Sequence, residues 1–213
     1  MTLTLTRHGH ACVRIVTAHG TVTIDPGTFS DVGAALAGAD AVLVTHVHPD
    51  HVDVPALVAA TVPVHGPAQV VEALVDAGAD RSRLHAVAAG DVLTLAGARV
   101  EVLGEVHAEI HPDVPRPANV AYLVDGVVLH PGDSFTRPAA GTAVDVLLEP
   151  VSAPWLRLAD AVEHVRAVAP RRVVPIHDAI LSDTGRALTL RILGGLVDAQ
   201  VVPLGAGESL TVG

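Results

Sequence analysis

Apolar and polar residues alternate from the start of the chain, with Leu3 and Leu5 on one face, the two-residue period of a half-buried strand. Cys12, Arg14 and Val16 oppose Val13 and Ile15 in the same way, Ala18-His19-Gly20-Thr21 reads as a turn, and Thr21 to Ile24 returns as a hairpin partner. The alternation then gives way to short continuous apolar runs: Val42-Leu43-Val44, Val100 to Val106, Val120 to Val124, Val127 to Leu129, Val144 to Leu148 and Val173 to Ile176. Such runs mark strands buried on both faces. Helical spacing separates several of them. Asp53 caps a helix from about Pro55, where proline is tolerated in the first turn. Pro67 starts a second, with Val70, Val71, Leu74 and Val75 on one face and Gly78 as the stop. Leu158, Val162, Val165 and Ala169 recur at helical spacing before Pro170, and Leu188, Ile192 and Leu196 predict a late helix after an Asp183 or Thr184 cap. Hairpins followed by strands mixed with helices predict an α/β layered sandwich with helices on its outer faces.

Composition narrows the setting. A length of 213 residues suits one domain over 1–213, and 50% hydrophobic residues with only 2% aromatics predict a core of valine, leucine and alanine. No apolar run nears the roughly 18 residues that span a membrane, and the first residues lack the charged start and apolar stretch of a signal peptide. The lone Cys12 cannot form an intrachain disulfide, so a cytoplasmic home is the default expectation. A formal net charge of -10, with arginine but no lysine, suits the tracking of nucleic-acid phosphates poorly. Bound metal ions would add positive charge locally, so this weighs against a nuclease without excluding one.

The chemistry concentrates in His46-Val47-His48-Pro49-Asp50-His51, three imidazoles and a carboxylate within six residues. Zinc and similar divalent ions take these donors. The motif follows the Val42–Val44 run and leads into the Asp53-capped helix, a strand-to-helix loop of the kind where α/β proteins place their sites. Three more polar residues end later strands: His107, Asp133 through His130-Pro131-Gly132, and His177. A solvated polar loop is the plain alternative for the motif, and the three later strand-end residues argue against it. His111 rivals His107 but lies in a loop before Pro112, and Asp133 and His177 have turn-forming and packing alternatives. His46 and His48, two apart in an extended segment, can converge on one ion. Asp50 and His51, past the turn at Pro49, point to a neighbouring position, so two ions about 3.5–4 Å apart can share the remaining ligands.

This constellation resembles the metallo-β-lactamase superfamily, whose HxHxDH motif stands here as His46 to His51 and whose later His, Asp and His match His107, Asp133 and His177. Gly9-His10-Ala11, Ile24-Asp25-Pro26-Gly27, His130-Pro131-Gly132-Asp133-Ser134 and Pro175-Ile176-His177-Asp178 extend the likeness toward small metal-dependent hydrolases near the ascorbate-phosphate lactonase branch. The resemblance implies a four-layer αββα sandwich with a dinuclear centre at one edge. His46, His48 and His107 would bind one ion, Asp50, His51 and His177 the second, with Asp133 bridging. Zinc is the first expectation, with manganese or iron admitted by the same donors.

The expected activity is hydrolysis of a small ester, lactone or phosphodiester by hydroxide formed on the metals, with Asp50, Asp133 and His10 as the catalytic candidates. His10 either faces the substrate or hydrogen-bonds structurally. Asp25 either orients a metal-binding histidine or caps the Pro26-Gly27 turn, and Asp178 either orients a ligand in the same way or is simply solvated. His130 is a weaker candidate. Glu105, Glu109, His19, His65, His85 and His164 read as surface residues, Cys12 as a core thiol, and Trp155 and Tyr122 as packing, with Ser152 to Trp155 as a possible pocket wall. Arg7, Arg116 and Arg137 are offered to a small-molecule substrate with an anionic group. One rival is iron-dependent redox chemistry, opposed by His48 where that branch carries an acid. The other is a non-enzymatic module with structural zinc, opposed by seven ligands where a closed site uses four.

Overall fold

The computed structural model describes Thr2 to Gly213. In chain order its strands are β1 (Leu3–Gly9), β2 (Cys12–Val16), β3 (Thr21–Ile24), β4 (Ala41–Leu43), β5 (Val64–Gly66), β6 (Leu84–Ala86), β7 (Val92–Leu95), β8 (Ala98–Leu103), β9 (Ala121–Val124), β10 (Val128–His130), β11 (Val146–Pro150), β12 (Arg172–Ile176), β13 (Gln200–Val201) and β14 (Ser209–Val212). The helices are α1 (Val32–Leu36), α2 (Val54–Ala59), α3 (Ala68–Asp76), α4 (Leu158–Val168) and α5 (Asp183–Leu196).

The strands form two seven-stranded sheets, β14-β1-β2-β3-β4-β5-β6 and β13-β12-β11-β10-β9-β8-β7. Each begins antiparallel and turns parallel. In the first sheet β1 to β3 are hairpins and β3 to β6 run parallel. In the second β7 to β10 alternate and β10 to β13 run parallel. Parallel neighbours need a crossover, and that is where the helices occur: α1 to α3 link β3 to β6, and α4 and α5 link β11 to β13.

The pleat sorts each strand between layers. In β9, Tyr122 and Val124 enter the core between the sheets while Ala121 and Leu123 face the helix layer. Val146, Leu148, Val174 and Ile176 meet Val13, Ile15, Ile24 and Leu43 in the middle. On one outside, Leu147 and Val173 pack on Val162, Val165 and Leu193. On the other, Val42 and Val44 pack on Leu57, Val70 and Leu74. The result is the expected four-layer α/β sandwich. Tyr122 joins the layers, its hydroxyl donating to Val44 O at 2.9 Å.

Several elements depart from expectation. The Asp53 cap forms as predicted, accepting from Ala56 N at 3.0 Å. Val75 lies off the Val71–Leu74 stripe and is 38% exposed. Ala169 is no part of the α4 face but its left-handed cap, φ +49°. The cap of α5 is Ser182, one residue before Asp183. Leu188, Ile192 and Leu196 of that helix point outward, because Arg186, held by Asp178, and buried Leu193 fix its rotation. β8 ends at Leu103, so His107 arrives from a loop in which Val106 bridges to Ala118. Among the described residues no helix is long and apolar enough to cross a membrane.

Candidate metal centre

The parallel halves of the two sheets bring their strand ends to one edge. From the first sheet come the hairpin turn with His10, Asp25 after β3, and His46 to His51 after β4. From the second come His107, Asp133 after β10, and His177 after β12. Three of these residues sit in the left-handed region, His10 (φ +45°), Asp25 (+51°) and His177 (+59°). Such non-glycine conformations cost on the order of 1–3 kcal/mol each and persist where surroundings enforce them. Here the enforcement is backbone pairing, His177 N to His10 O at 3.1 Å and Asp25 N to Leu43 O at 2.9 Å. Gly27 is needed for close approach, since a Cβ there would stand 1.9 Å from the carbonyl oxygen of Asp50.

The donors fall into three overlapping groups whose candidate atoms lie within 4.8 Å of one another: His46, His48 and His107; His46, His51 and Asp133; and His10, Asp50, His51 and His177. His46 Nε2 and His48 Nδ1 are 3.1 Å apart. Asp133 lies at the centre, Oδ1 3.1 Å from His51 Nε2, Oδ2 3.3 Å from His107 Nε2 and 3.2 Å from His177 Nε2. Asp50 Oδ2 is 3.3 Å from His177 Nε2.

The outer ring nitrogens are fixed by partners that settle the tautomers. His107 Nδ1 donates to Ala108 O at 2.5 Å and His177 Nδ1 to Ser152 O at 2.6 Å. His51 Nδ1 donates to Asp25 Oδ2 at 2.7 Å. The Thr45 hydroxyl spends its one proton on the same Asp25 oxygen, at 2.7 Å, and therefore accepts from His46 Nδ1 at 3.0 Å. In the neutral rings, the form that binds a metal, four Nε2 lone pairs thus face inward. Those of His51, His107 and His177 are buried without an aligned hydrogen-bond partner, and so is Asp133 Oδ1. Unsatisfied buried acceptors clustered this way are rare and costly, and they are the donor set divalent ions take. By this test the residues fit a metal.

Electrostatics agree. Burial pushes the Asp133 carboxyl up, but His51, with contacts from His107 and His177, outweighs this and holds it well below the usual range. Burial likewise opposes charge on His51, yet Asp133 and Asp25 raise it well above its ordinary value. Against the same burial, contacts with Asp133 and Asp50 raise His177 to about 9. Burial and then His51 push His46 well down. The carboxylates at this edge thus call for positive charge. Access is from the side of half-buried His48 and of Asp50, whose side chain is 23% exposed.

All seven expected ligands come together. His10 joins them through Nε2, 3.1 Å from Asp50 Oδ2. Its Nδ1 accepts from Ala179 N at 3.4 Å, so Nε2 carries the proton and donates. Of the two readings of Asp25, orientation is the one the contacts favour. Asp178 is buried between Arg7 and Arg186, so it anchors the His177 loop and Arg7 is not free. Arg116 gives Nε to His107 O at 2.7 Å. His111 is exposed and apart, and His130 donates to Ala11 O at 2.9 Å. His65 and His164 are not surface residues: His65 stacks on His85 at 4.6 Å, and His164 bridges Glu149 Oε2, 2.7 Å, and Thr136 O, 3.1 Å. Sequence reasoning missed Thr45, Trp155 and Asn119, whose Oδ1 accepts from Asp133 N at 2.9 Å. Thr45, directly before His46, carried a signal by position; Asn119 and Trp155 lie far along the chain from every motif and reach Asp133 only through the fold.

The family model of the beta-lactamase superfamily domain matches residues 4–177. The chain is 39% identical over 207 residues to protein Rv0786c of Mycobacterium tuberculosis, covering 93% of this chain and 96% of that one. It is 49% identical over 49 residues, 21% of this chain and 22% of the other, to a UPF0173 metal-dependent hydrolase of Geobacillus thermodenitrificans. In structure it is similar to the metallo-beta-lactamase fold protein YhfI of Bacillus subtilis, with TM-score 0.76, 15% identity and 99% of both chains covered.

Proposed function

The chain belongs to the metallo-β-lactamase superfamily, and from that premise we propose that it is a hydrolase working with two divalent ions, zinc before manganese or iron. The observation that carries this reading is the set of buried, unpartnered acceptors, Nε2 of His51, His107 and His177 with Asp133 Oδ1. His46, His48 and His107 would hold one ion, Asp50, His51 and His177 the other, with Asp133 between them. Bound there, the ions supply Lewis acidity and a water whose pKa falls from 15.7 toward about 7.

The chain's own residues orient groups. Burial pushes the Asp50 carboxyl up, but its contacts with His10 and His177 outweigh this and hold it well below the usual range, so this carboxylate, which reaches the mouth, stays ionised and orients the attacking water by accepting its hydrogen bond. His10 holds that carboxylate from behind through Nε2–H and stays neutral, because burial, outweighing its bond to Asp50, lowers its pKa. Phe29, 52% exposed, packs edge-on against His10 at 5.3 Å and gives the mouth an apolar side. Arg7 and Arg116 are already engaged. Arg137 is exposed and is left for an anionic group, so ester, lactone and phosphodiester substrates all fit this reading.

The test is zinc, manganese and iron content of purified protein together with turnover of aryl esters, lactones and bis-nitrophenyl phosphate. Hydrolysis should be abolished by chelation and in His48→Ala. Hydrolysis that survives both refutes the reading, and tightly bound iron with oxygen consumption moves the chain to redox chemistry.

A further inference from the structure

Trp155, the one tryptophan of the chain, has no part in the chemistry above. It lies in the loop after β11, 9% exposed, and its Nε1 donates to Oδ2 of Asp133 at 2.9 Å. An indole N–H only donates and, once buried, requires an acceptor. A backbone carbonyl would serve. The acceptor used instead is the carboxylate at the centre of the ligand cluster.

The ring is held in place for that bond. Phe135 meets it edge-on at 5.4 Å and His107 at 6.0 Å. The same loop supplies Ser152 O, which accepts from His177 Nδ1. One short segment therefore touches both Asp133 and His177. On Asp133, Oδ1 lies toward His51 and Oδ2 toward His107 and His177. The indole occupies one further direction on Oδ2. Asp133 is otherwise tied through its main chain, N to Asn119 Oδ1 and O to Ala108 N, and neither bond fixes rotation of the carboxylate.

We propose that Trp155 is a positioning residue: its N–H locks the rotation of the Asp133 carboxylate, so that Oδ2 stays turned between His107 and His177 and Oδ1 toward His51. The inference rests on the reading of Asp133 as the bridge between two ions. Without the N–H the carboxylate can turn and take Oδ2 out of the space between His107 and His177, where it would serve both ions. Partners that orient ligands typically account for 10–100-fold in metal affinity or activity.

Trp155→Phe keeps the ring and removes the donor. Competition with a chelator should show the second zinc equivalent bound about 10–100-fold more weakly in the variant, and kcat should fall more than KM rises. An independent signal does not need Trp155→Phe to fold. A single tryptophan yields one indole ¹⁵N–¹H resonance, which should shift on Asp133→Asn in metal-free protein and on zinc addition to wild type. Wild type that binds two zinc ions while Trp155→Phe matches it in affinity overturns the positioning role alone. An indole resonance indifferent to Asp133→Asn does the same. Wild type that takes no second ion overturns the dinuclear reading, and this inference with it.

Discussion

Asp25 offers a way to separate what holds the centre together from what prepares it for metal. Its carboxylate is fully buried and accepts three hydrogen bonds, from Thr45 N, Thr45 Oγ1 and His51 Nδ1, each at 2.7 Å. Asp25→Ala strands these donors. The Thr45 hydroxyl can turn toward His46 Nδ1 once that ring moves its proton to Nε2, which leaves two buried donors without partners at about 1–3 kcal/mol each, roughly 2–6 kcal/mol in all. For a chain of this size the melting temperature should fall by about 4–24 °C. Asp25→Asn has a different effect. Its oxygen can stay on Thr45 N while its amide replaces Oδ2, and asparagine tolerates the left-handed backbone. The cost is the exchange of charge-assisted for neutral hydrogen bonds, about 1–2 kcal/mol. The amide, however, now presents a donor to His51 Nδ1. The imidazole must answer with a lone pair, which moves its proton to Nε2, facing Asp133 Oδ1. That nitrogen can no longer ligate. Asp25→Asn should therefore melt well above Asp25→Ala yet lose 10-fold or more in zinc affinity, at the level expected for ligand-orienting partners. Calorimetric unfolding of metal-free proteins and chelator competition measure the two quantities, and ¹⁵N shifts of His51 report the tautomer. Wild-type zinc affinity in Asp25→Asn would refute the reasoning.

Two further expectations follow from the packing around the centre. Gly27→Ala drives a methyl group into the Asp50 carbonyl, 1.9 Å from the ideal Cβ; overpacking of this kind costs about 1–3 kcal/mol. The loop must shift to relieve it, so thermal melts and zinc titration should both register a loss, and unchanged zinc affinity would show that Asp50 is not held by that contact. The buried pair His164–Glu149 gives a pH dependence. Burial pushes His164 down, but Glu149 outweighs it and the pKa is raised. A raised histidine contributes fully below its unfolded pKa of about 6.5 and loses its contribution as pH climbs through the folded value. The melting gap between wild type and His164→Asn should be wide at pH 6 and narrow toward pH 10, and a gap that stays constant or widens would exclude an imidazolium there.

What was legible in the chain depended on how local each determinant is. The HxHxDH segment sets four candidate ligands within one loop, so residue type and spacing sufficed to single them out. The existence of α2 to α5 followed from spacing and caps, because those are properties of a few consecutive residues. The rotation of α5 did not, since an ion pair from Arg186 to Asp178 and the burial of Leu193 outrank a longer apolar row. His164 looked like a surface histidine because its partner Glu149 is 15 residues away on β11. Trp155 looked like packing because an indole body and an indole N–H are indistinguishable until an acceptor is placed beside them.

The two sheets also prepare their ligands differently. The first sheet supplies a continuous loop, and one carboxylate on the neighbouring strand, Asp25, fixes His51 directly and His46 through Thr45. The second sheet supplies His107 and His177 from separate loops, and there main-chain carbonyls of Ala108 and Ser152 do the fixing. A carbonyl cannot be removed by a side-chain substitution, whereas the Asp25 carboxylate can. The side of the centre built by the second sheet is thus set by backbone conformation and the one built by the first by side-chain chemistry. Asp133 joins the sides, with one oxygen toward His51 of the first sheet and the other toward His107 and His177 of the second. It follows that the centre is assembled only when the Val, Leu and Ile layer between the sheets is packed. Loosening that layer should then weaken metal binding even where no ligand is touched.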